Sequence, residues 1–178
     1  IDDTSIANIG RWPWSREVHA RMADLLAGAK AKVIANTLFL FEPQIDPGYQ
    51  YITKLLELAA KAQPEGAEPS PMLGLLKEAE AALNTDRRLA ESYARAGNVL
   101  LPMLFTIDIP RGKPDRPLAD YVVKNAIPGK EDELGALPAS AVQVPLDSLG
   151  RTAAGLGHLN GNPDVDGGIR TEPLVLRY

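Results

Sequence analysis

The chain has 178 residues, no cysteine and a formal net charge of -4, with a pI near 5.2. That length is about one domain, able to bury a core without disulfide staples, and the absence of cysteine removes thiol chemistry and thiolate metal ligands while leaving the redox compartment open. The acidic balance gives no electrostatic footprint for nucleic acid, and no run of about 18 apolar residues marks a membrane span.

In chain order, Ile1-Asp2-Asp3-Thr4-Ser5 reads as the carboxyl end of a strand entering a loop. The opening at Ile1, without a start methionine or signal peptide, reads as a segment of a longer chain. Both tryptophans lie in Gly10-Arg11-Trp12-Pro13-Trp14-Ser15-Arg16. Ser15 is placed to cap a helix from Arg16 to Ala27, with Val18, Met22, Leu25, Leu26 and Ala29 at helical spacing. Ala31 to Ala35 and Leu38 to Phe41 read as a buried strand, which completes a strand-helix-strand unit of a parallel sheet. Glu42-Pro43 ends it, and Ile45 to Tyr51 is turn-rich.

Ile52 to Ala62 reads as a helix, and residues 63–71 as a flexible linker within the single domain 1–178. Met72, Leu75, Leu76, Ala79 and Leu83 then mark the inner face of an amphipathic helix, and a further helix runs from Asp86 to a stop at Gly97. Val99 to Ile107 is the longest apolar run, in which Pro102 suggests an edge, bulge or strand end. Asp108 to Pro145 is irregular, with plausible elements at Tyr121-Val122-Val123 and Val142-Gln143-Val144. A short helix from Leu146 to Ala154 follows, and Gly155 to Asn160 and Gly168 to Tyr178 read as a C-terminal hairpin. There is no internal repeat. The expected class is α/β: an open, mostly parallel sheet flanked by helices.

No catalytic motif stands out. Asn162-x-Asp164-x-Asp166-Gly167 imitates the start of a calcium loop but has Pro173 where the bidentate acid belongs, so an Asx-rich turn accounts for it better. Gly155-x-Gly157 lacks the third glycine of a dinucleotide fingerprint, since Asn160 stands there. There is no Walker A sequence, no nucleophile elbow and no histidine pair at metal spacing, so neither a cofactor nor a metal is expected. His19 and His158 read as structural histidines.

Asp2 and Asp3 stand where open α/β sheets bind ligands, although capping explains them equally. Arg11 and Arg16 are able to hold those two carboxylates or to clamp an anion. Trp12 and Trp14 fit packing over the sheet better than a recognition surface.

Taken together, the two ends resemble the second of the CHASE families, extracellular sensory domains associated with bacterial cyclases and histidine kinases. Ile1-Asp2-Asp3-x-Ser5, Gly10-Arg11-Trp12-Pro13-Trp14-x-Arg16 and His19-Ala20 look like its opening. Ala31 to Phe39 with Glu42-Pro43 looks like its second strand, continued by Asp86, Leu89 and Ala90 before Val99-Leu100-Leu101. Gly157-His158-Leu159-Asn160, Asp164-x-Asp166-Gly167, Arg170 and Pro173-Leu174 are similar to its closing signature. Asn36 is a departure, because the family usually has an acid there.

The resemblance implies an extracytoplasmic domain, periplasmic or extracellular, flanked by membrane-spanning helices and followed by a cytoplasmic cyclase, kinase or similar output. On that reading the domain is no enzyme, and it binds an unknown small molecule or protein signal, with no nucleic acid and with a homodimer possible. The candidate ligand-binding residues are Asp2, Asp3, Arg11, Arg16, Asn36, Glu42, Asn160, Asp164, Asp166 and Arg170. A dimerisation spacer without a ligand is the alternative, and a small hydrolase using Asp2, Asp3 and His158 a more remote one. A first strand cut short at Ile1 would leave a sheet edge for a neighbouring molecule or for Leu174 to Tyr178 to cover.

Overall fold

One strand organises the domain. In the computed structural model, which describes residues 2–44, 46–62, 70–112, 117–128, 135–161 and 163–178, β2 (Val99–Ile107) is the centre of a five-stranded sheet. β1 (Ile34–Ala35) pairs with it in parallel, with Ile34 opposite Val99. β4 (Gly155–His158) pairs in parallel along Leu100 to Met103. β3 (Leu137–Gln143) pairs antiparallel with its carboxyl half, from Leu104 opposite Gln143 to Ile107 opposite Ala139. β5 (Leu176–Arg177) adds in parallel to β3.

Pro102 therefore sits mid-strand in the central strand, and the expected edge, bulge or strand end falls elsewhere. The amide of Ile34 donates to the Asn98 carbonyl and that of Asn36 to the Leu100 carbonyl, so even-numbered residues of β2 face β1. The next rung of that ladder requires a donor at position 102, where proline has none. β1 accordingly stops at Ala35, and the apolar run from Leu38 to Phe41 leaves the sheet. Leu40 still reaches the core, but Phe39 is exposed. Two residues further on, β3 takes up the same edge of β2.

The opening is not a strand end. Asp3–Ile9 forms helix α1, capped by Asp2, whose carboxylate accepts from the Ser5 amide at 2.8 Å while the Ser5 hydroxyl accepts from the Asp2 amide. This reciprocal box satisfies amides that a helix start leaves unpaired. Helix α2 (Arg16–Gly28) begins at Ser15 as expected, through a Glu17 amide to Ser15 hydroxyl bond.

The buried face of α2 is His19, Ala20 and Ala23, whereas Met22, Leu25 and Leu26 are exposed. The small face wins because α2 lies against α5 (Thr85–Ala96), and close approach of two helices favours alanine at the contact. α5 contributes Leu89, Ala90, Ser92 and Tyr93, and ends on Gly97 in the left-handed conformation at φ 67°. Asp24 with Arg95 and Glu17 with Arg88 seal the rim.

Between these elements α3 (Pro47–Ala62) starts earlier than expected, taking in residues assigned to turns, and α4 (Pro71–Leu83) is capped by Ser70 with Pro71 at its first position. The expected linker at 63–71 thus ends in a helix start, and its residues 63–69 lie outside the described ones. Of α4 only Leu73 is buried; Met72 and Leu75, expected inside, are exposed.

The main core joins Ala20, Ala23, Ile34, Leu40, Leu89, Tyr93, Val99 and Leu101 with Leu149 of the short helix α7 (Asp147–Gly150). It carries on along β2 into a second cluster at Met103, Tyr121 and Val122, the latter two on helix α6 (Asp120–Val123). The expected mixed α/β class with a mostly parallel, helix-flanked sheet holds.

The expected C-terminal hairpin does not form, because β4 pairs with β2 and β5 with β3. Only a tight turn remains of it, closed by the Asp164 amide on the Gly168 carbonyl. Among the described residues no strand precedes α1, and the terminal segment pairs with β3.

Candidate functional site

A dense polar network lies where α2, α5 and the loop after β1 converge. Asp86, in the first turn of α5, pairs with the Arg16 guanidinium at 3.1 Å, and both side chains are largely buried, at 15% and 17% exposure. Its other oxygen accepts from the Gln44 amide at 2.7 Å, the Gln44 side chain accepts from the Arg16 amide, and Arg16 also donates to the Glu42 carbonyl. One carboxylate thus ties a loop to two helix starts, in a site dry enough for charge-assisted bonds to strengthen.

A second network adjoins it at the base of the α3–α4 pair. The Tyr49 hydroxyl donates to Glu80 at 3.1 Å and accepts from Asn84, whose side-chain oxygen caps α5 at the Arg87 amide. Arg87 closes the set against Glu80 at 3.1 Å. Burial, then the Glu80 carboxylate, raises the Tyr49 pKa, while the Asn84 amide bond does most to hold Glu80 below the usual carboxylate value. Both are set to stay in one protonation state at neutral pH.

Between these networks and α7 lies a groove of about 500 Å³, walled by Pro43, Tyr49, Leu83, Asp86, Ala94 and Thr152 among others. Its surface is mainly apolar with a few convergent polar groups, the usual composition of a small-molecule site. Gln44, Tyr49 and Asn84 were not among the candidates from sequence; isolated polar residues at loop junctions carry no periodic signal.

The sequence-derived candidates are scattered. Asp2 caps α1, and the bonds its carboxylate accepts from the Ser5 hydroxyl first, and then from the Ser5 amide, lower its pKa; Asp3 is exposed in the first turn. Neither meets an arginine among the described residues: Arg16 is taken by Asp86, and Arg11 is exposed on the loop beyond α1. Glu42 offers its carbonyl to Arg16. Asn36, just past β1, donates to the Tyr93 hydroxyl at 2.7 Å and accepts from the Leu38 amide. Asn160, just past β4, grips both backbone groups of Phe105, at 3.0 and 2.7 Å, so its side chain extends the β4 ladder by one rung.

Asp164, Asp166 and Arg170 do come together. Arg170 lies 2.7 Å from each of the two carboxylates, and the bonds that Asp166 accepts from Arg170 first, and then from the Gly168 amide, push its pKa down to about 2. Asn162 is outside the described residues. No cluster of three or more acids or histidines poised for a metal occurs among the described residues.

Trp12 and Trp14 pack edge to face at 5.5 Å, and Trp12 sits edge-on to His19 at 5.8 Å. The two indoles thus pack on each other and on α2, not over the sheet as expected: Trp12 stays exposed, and the Trp14 indole donates to the Gly10 carbonyl. Burial first, and then the positive charge of Arg16, lowers the His19 pKa below 6.5. The unfolded chain therefore takes up this proton at a higher pH than the folded one. The stabilisation is complete above about 6.5 and declines as pH falls from there through the folded value. Melting temperature should drop as pH falls from about 6.5 to 5, and His19→Phe should flatten that drop; equal slopes in the two proteins would refute the assignment.

Comparison with known protein families finds the CHASE2 domain matching residues 1–178. No curated protein and no solved structure matches the chain. CHASE2 is a family of extracellular sensory domains found in signalling proteins, and no helix among the described residues is long and apolar enough to cross a membrane. With its opening and closing motifs in place and the match running its full length, the chain belongs to the CHASE2 family.

Proposed function

We propose that this chain is the extracytoplasmic input domain of a bacterial transmembrane signalling protein, and that it regulates a cytoplasmic cyclase, kinase or similar output by binding a small signal in the groove between α3, α5 and α7. Family membership across the whole chain carries this reading. The groove supports it with an apolar floor at Leu83 and Ala94 and hydroxyl or amide groups at Tyr49, Asn84, Ser148 and Thr152. Of its lining charges, Asp86 and Arg87 already have partners in Arg16 and Glu80, and Glu91 is exposed to solvent. A small, uncharged, partly apolar molecule fits that chemistry best.

Signalling requires a ligand to favour one arrangement over another. The groove borders both the base of the α3–α4 pair and α5, so an occupant contacts both and biases their relative placement. Of the candidates from sequence, Arg16 and Glu42 adjoin it, Arg16 through Asp86.

A thermal-shift screen tests the reading. A true ligand at about a hundred times its dissociation constant adds about 2.7 kcal/mol to stability. Ala94→Trp, which fills the groove from an exposed position, should abolish that shift while leaving the unliganded melting temperature in place. Silence across a broad library of small uncharged compounds would favour a spacer that only holds two output domains together, and a shift that survives Ala94→Trp would move the site elsewhere.

A further inference from the structure

The α3–α4 pair carries an apolar face that nothing among the described residues covers. Among the described residues α3 packs extensively only on α4, and α4 only on α3. The pair runs antiparallel, since Tyr49 near the start of α3 bonds to Glu80 and Asn84 near the end of α4. The less exposed positions 52, 56 and 59 on α3 and 73, 76 and 83 on α4 mark their mutual seam.

Tyr51, Leu55 and Leu58 stand one residue before the seam on α3, and Met72 and Leu75 one residue before it on α4. One step back rotates the position by about 100° around each axis, in opposite senses for antiparallel helices, so both stripes reach the same side of the pair. These five side chains are 48% to 68% exposed.

We propose that this face is the contact between two copies of the chain, which pair their helices into a four-helix bundle about a two-fold axis. The area fits. At about 200 Å² for a fully exposed large side chain, the five offer roughly 600 Å² per copy, so a dimer buries about 1,200 Å² of apolar side chain alone, the lower bound of a standard interface.

Charge fits too. By helical spacing Lys54 and Lys61 lie along the outer edge of α3 and Glu78 along that of α4, with Glu57 and Lys77 turned toward the far side of the pair, so stacking α3 over the partner's α4 sets a positive edge against a negative one. The same balance of lysine and glutamate lacks the basic face of a helix that lies on an anionic membrane. The inference stands apart from the groove, and neither depends on the other.

Sedimentation equilibrium on the 178-residue chain tests it. The expected mass is twice 19.2 kDa, and the double variant Leu58→Glu/Leu75→Glu, altered only at exposed positions, should raise the dissociation constant at least about a hundredfold. Val165→Glu, on a fully exposed turn, should leave the dimer intact.

Because the chain has no cysteine, Leu58→Cys provides a second route: a bifunctional maleimide should link it into dimers, and should fail to link Val165→Cys. This keeps the test decisive should the double variant not fold. A wild-type mass of 19.2 kDa at all concentrations would overturn the proposal, as would a Leu58→Glu/Leu75→Glu dimer as tight as wild type. A monomer that floats with phosphatidylcholine vesicles would overturn it in favour of a lipid surface.

Discussion

Gly150→Ala is expected to destabilise the domain by about 3 kcal/mol, at the upper end of overpacking effects. A Cβ at position 150 would lie 2.3, 2.7 and 2.8 Å from three ring atoms of Tyr121, far inside van der Waals contact. The ring has little room to yield. Tyr121 is buried, and its hydroxyl donates to the Pro145 carbonyl at 2.9 Å, in surroundings whose burial pushes its pKa up to about 12. Displacing the ring therefore disturbs the second core cluster and breaks a buried hydrogen bond at once.

For a domain of this size the melting temperature should fall by roughly 6 to 12 °C. Tyr121→Leu on the Gly150→Ala background should recover part of the loss beyond additivity, since it removes the atoms that clash. A single variant melting within about 2 °C of the native protein would show that α7 does not press on that ring.

Asp86→Ala is expected to cost about 3 kcal/mol. Surface ion pairs contribute little, but this one is some five-sixths buried on both sides and its carboxylate also holds the Gln44 amide. Removing it leaves Arg16 desolvated with only the Glu42 carbonyl as a partner and frees a backbone donor, which is the costly way to break such a pair. Arg16→Met combined with Asp86→Ala should lose clearly less than the two single variants summed. Chemical denaturation of all four proteins reads this directly, and strict additivity would dismiss the coupling.

What was legible in the sequence follows the strength of local signals. Ser15 before the apolar periodicity and Gly97 after it announced α2 and α5, because capping chemistry is written in one residue. The long run from Val99 to Ile107 announced β2. The start of α1 was missed although Asp2 and Ser5 stand at capping-box spacing; a short polar helix has no apolar stripe, and Ser5 takes the place usually held by glutamate or glutamine.

The buried face of α2 was misjudged because large residues dominate any hydrophobic reading, whereas the helix contact selected Ala20 and Ala23. The supposed C-terminal hairpin failed for a different reason. Its turn was read correctly, but the strands on either side had better partners in β2 and β3, far away in the chain, and pairing over such distances leaves no local trace. The groove shares that difficulty: Asp86 entered only as a helix start and within the family resemblance, and Gln44, Tyr49 and Asn84 gain meaning only once three elements meet.

Pro102 has one more effect, on the fidelity of folding. A single side of β2 serves two neighbours of opposite direction, β1 before the proline and β3 beyond it. Were position 102 able to donate, β1 would find a continuous row of partners and could slide two residues forward without inverting its faces, the kind of slip that alternation of side chains does not punish. The missing proton makes that slide cost a hydrogen bond, and it penalises β3 equally for creeping the other way. In a chain whose central strand must wait for partners from distant segments before its sheet can close, one imino acid thus keeps two latecomers from claiming each other's place.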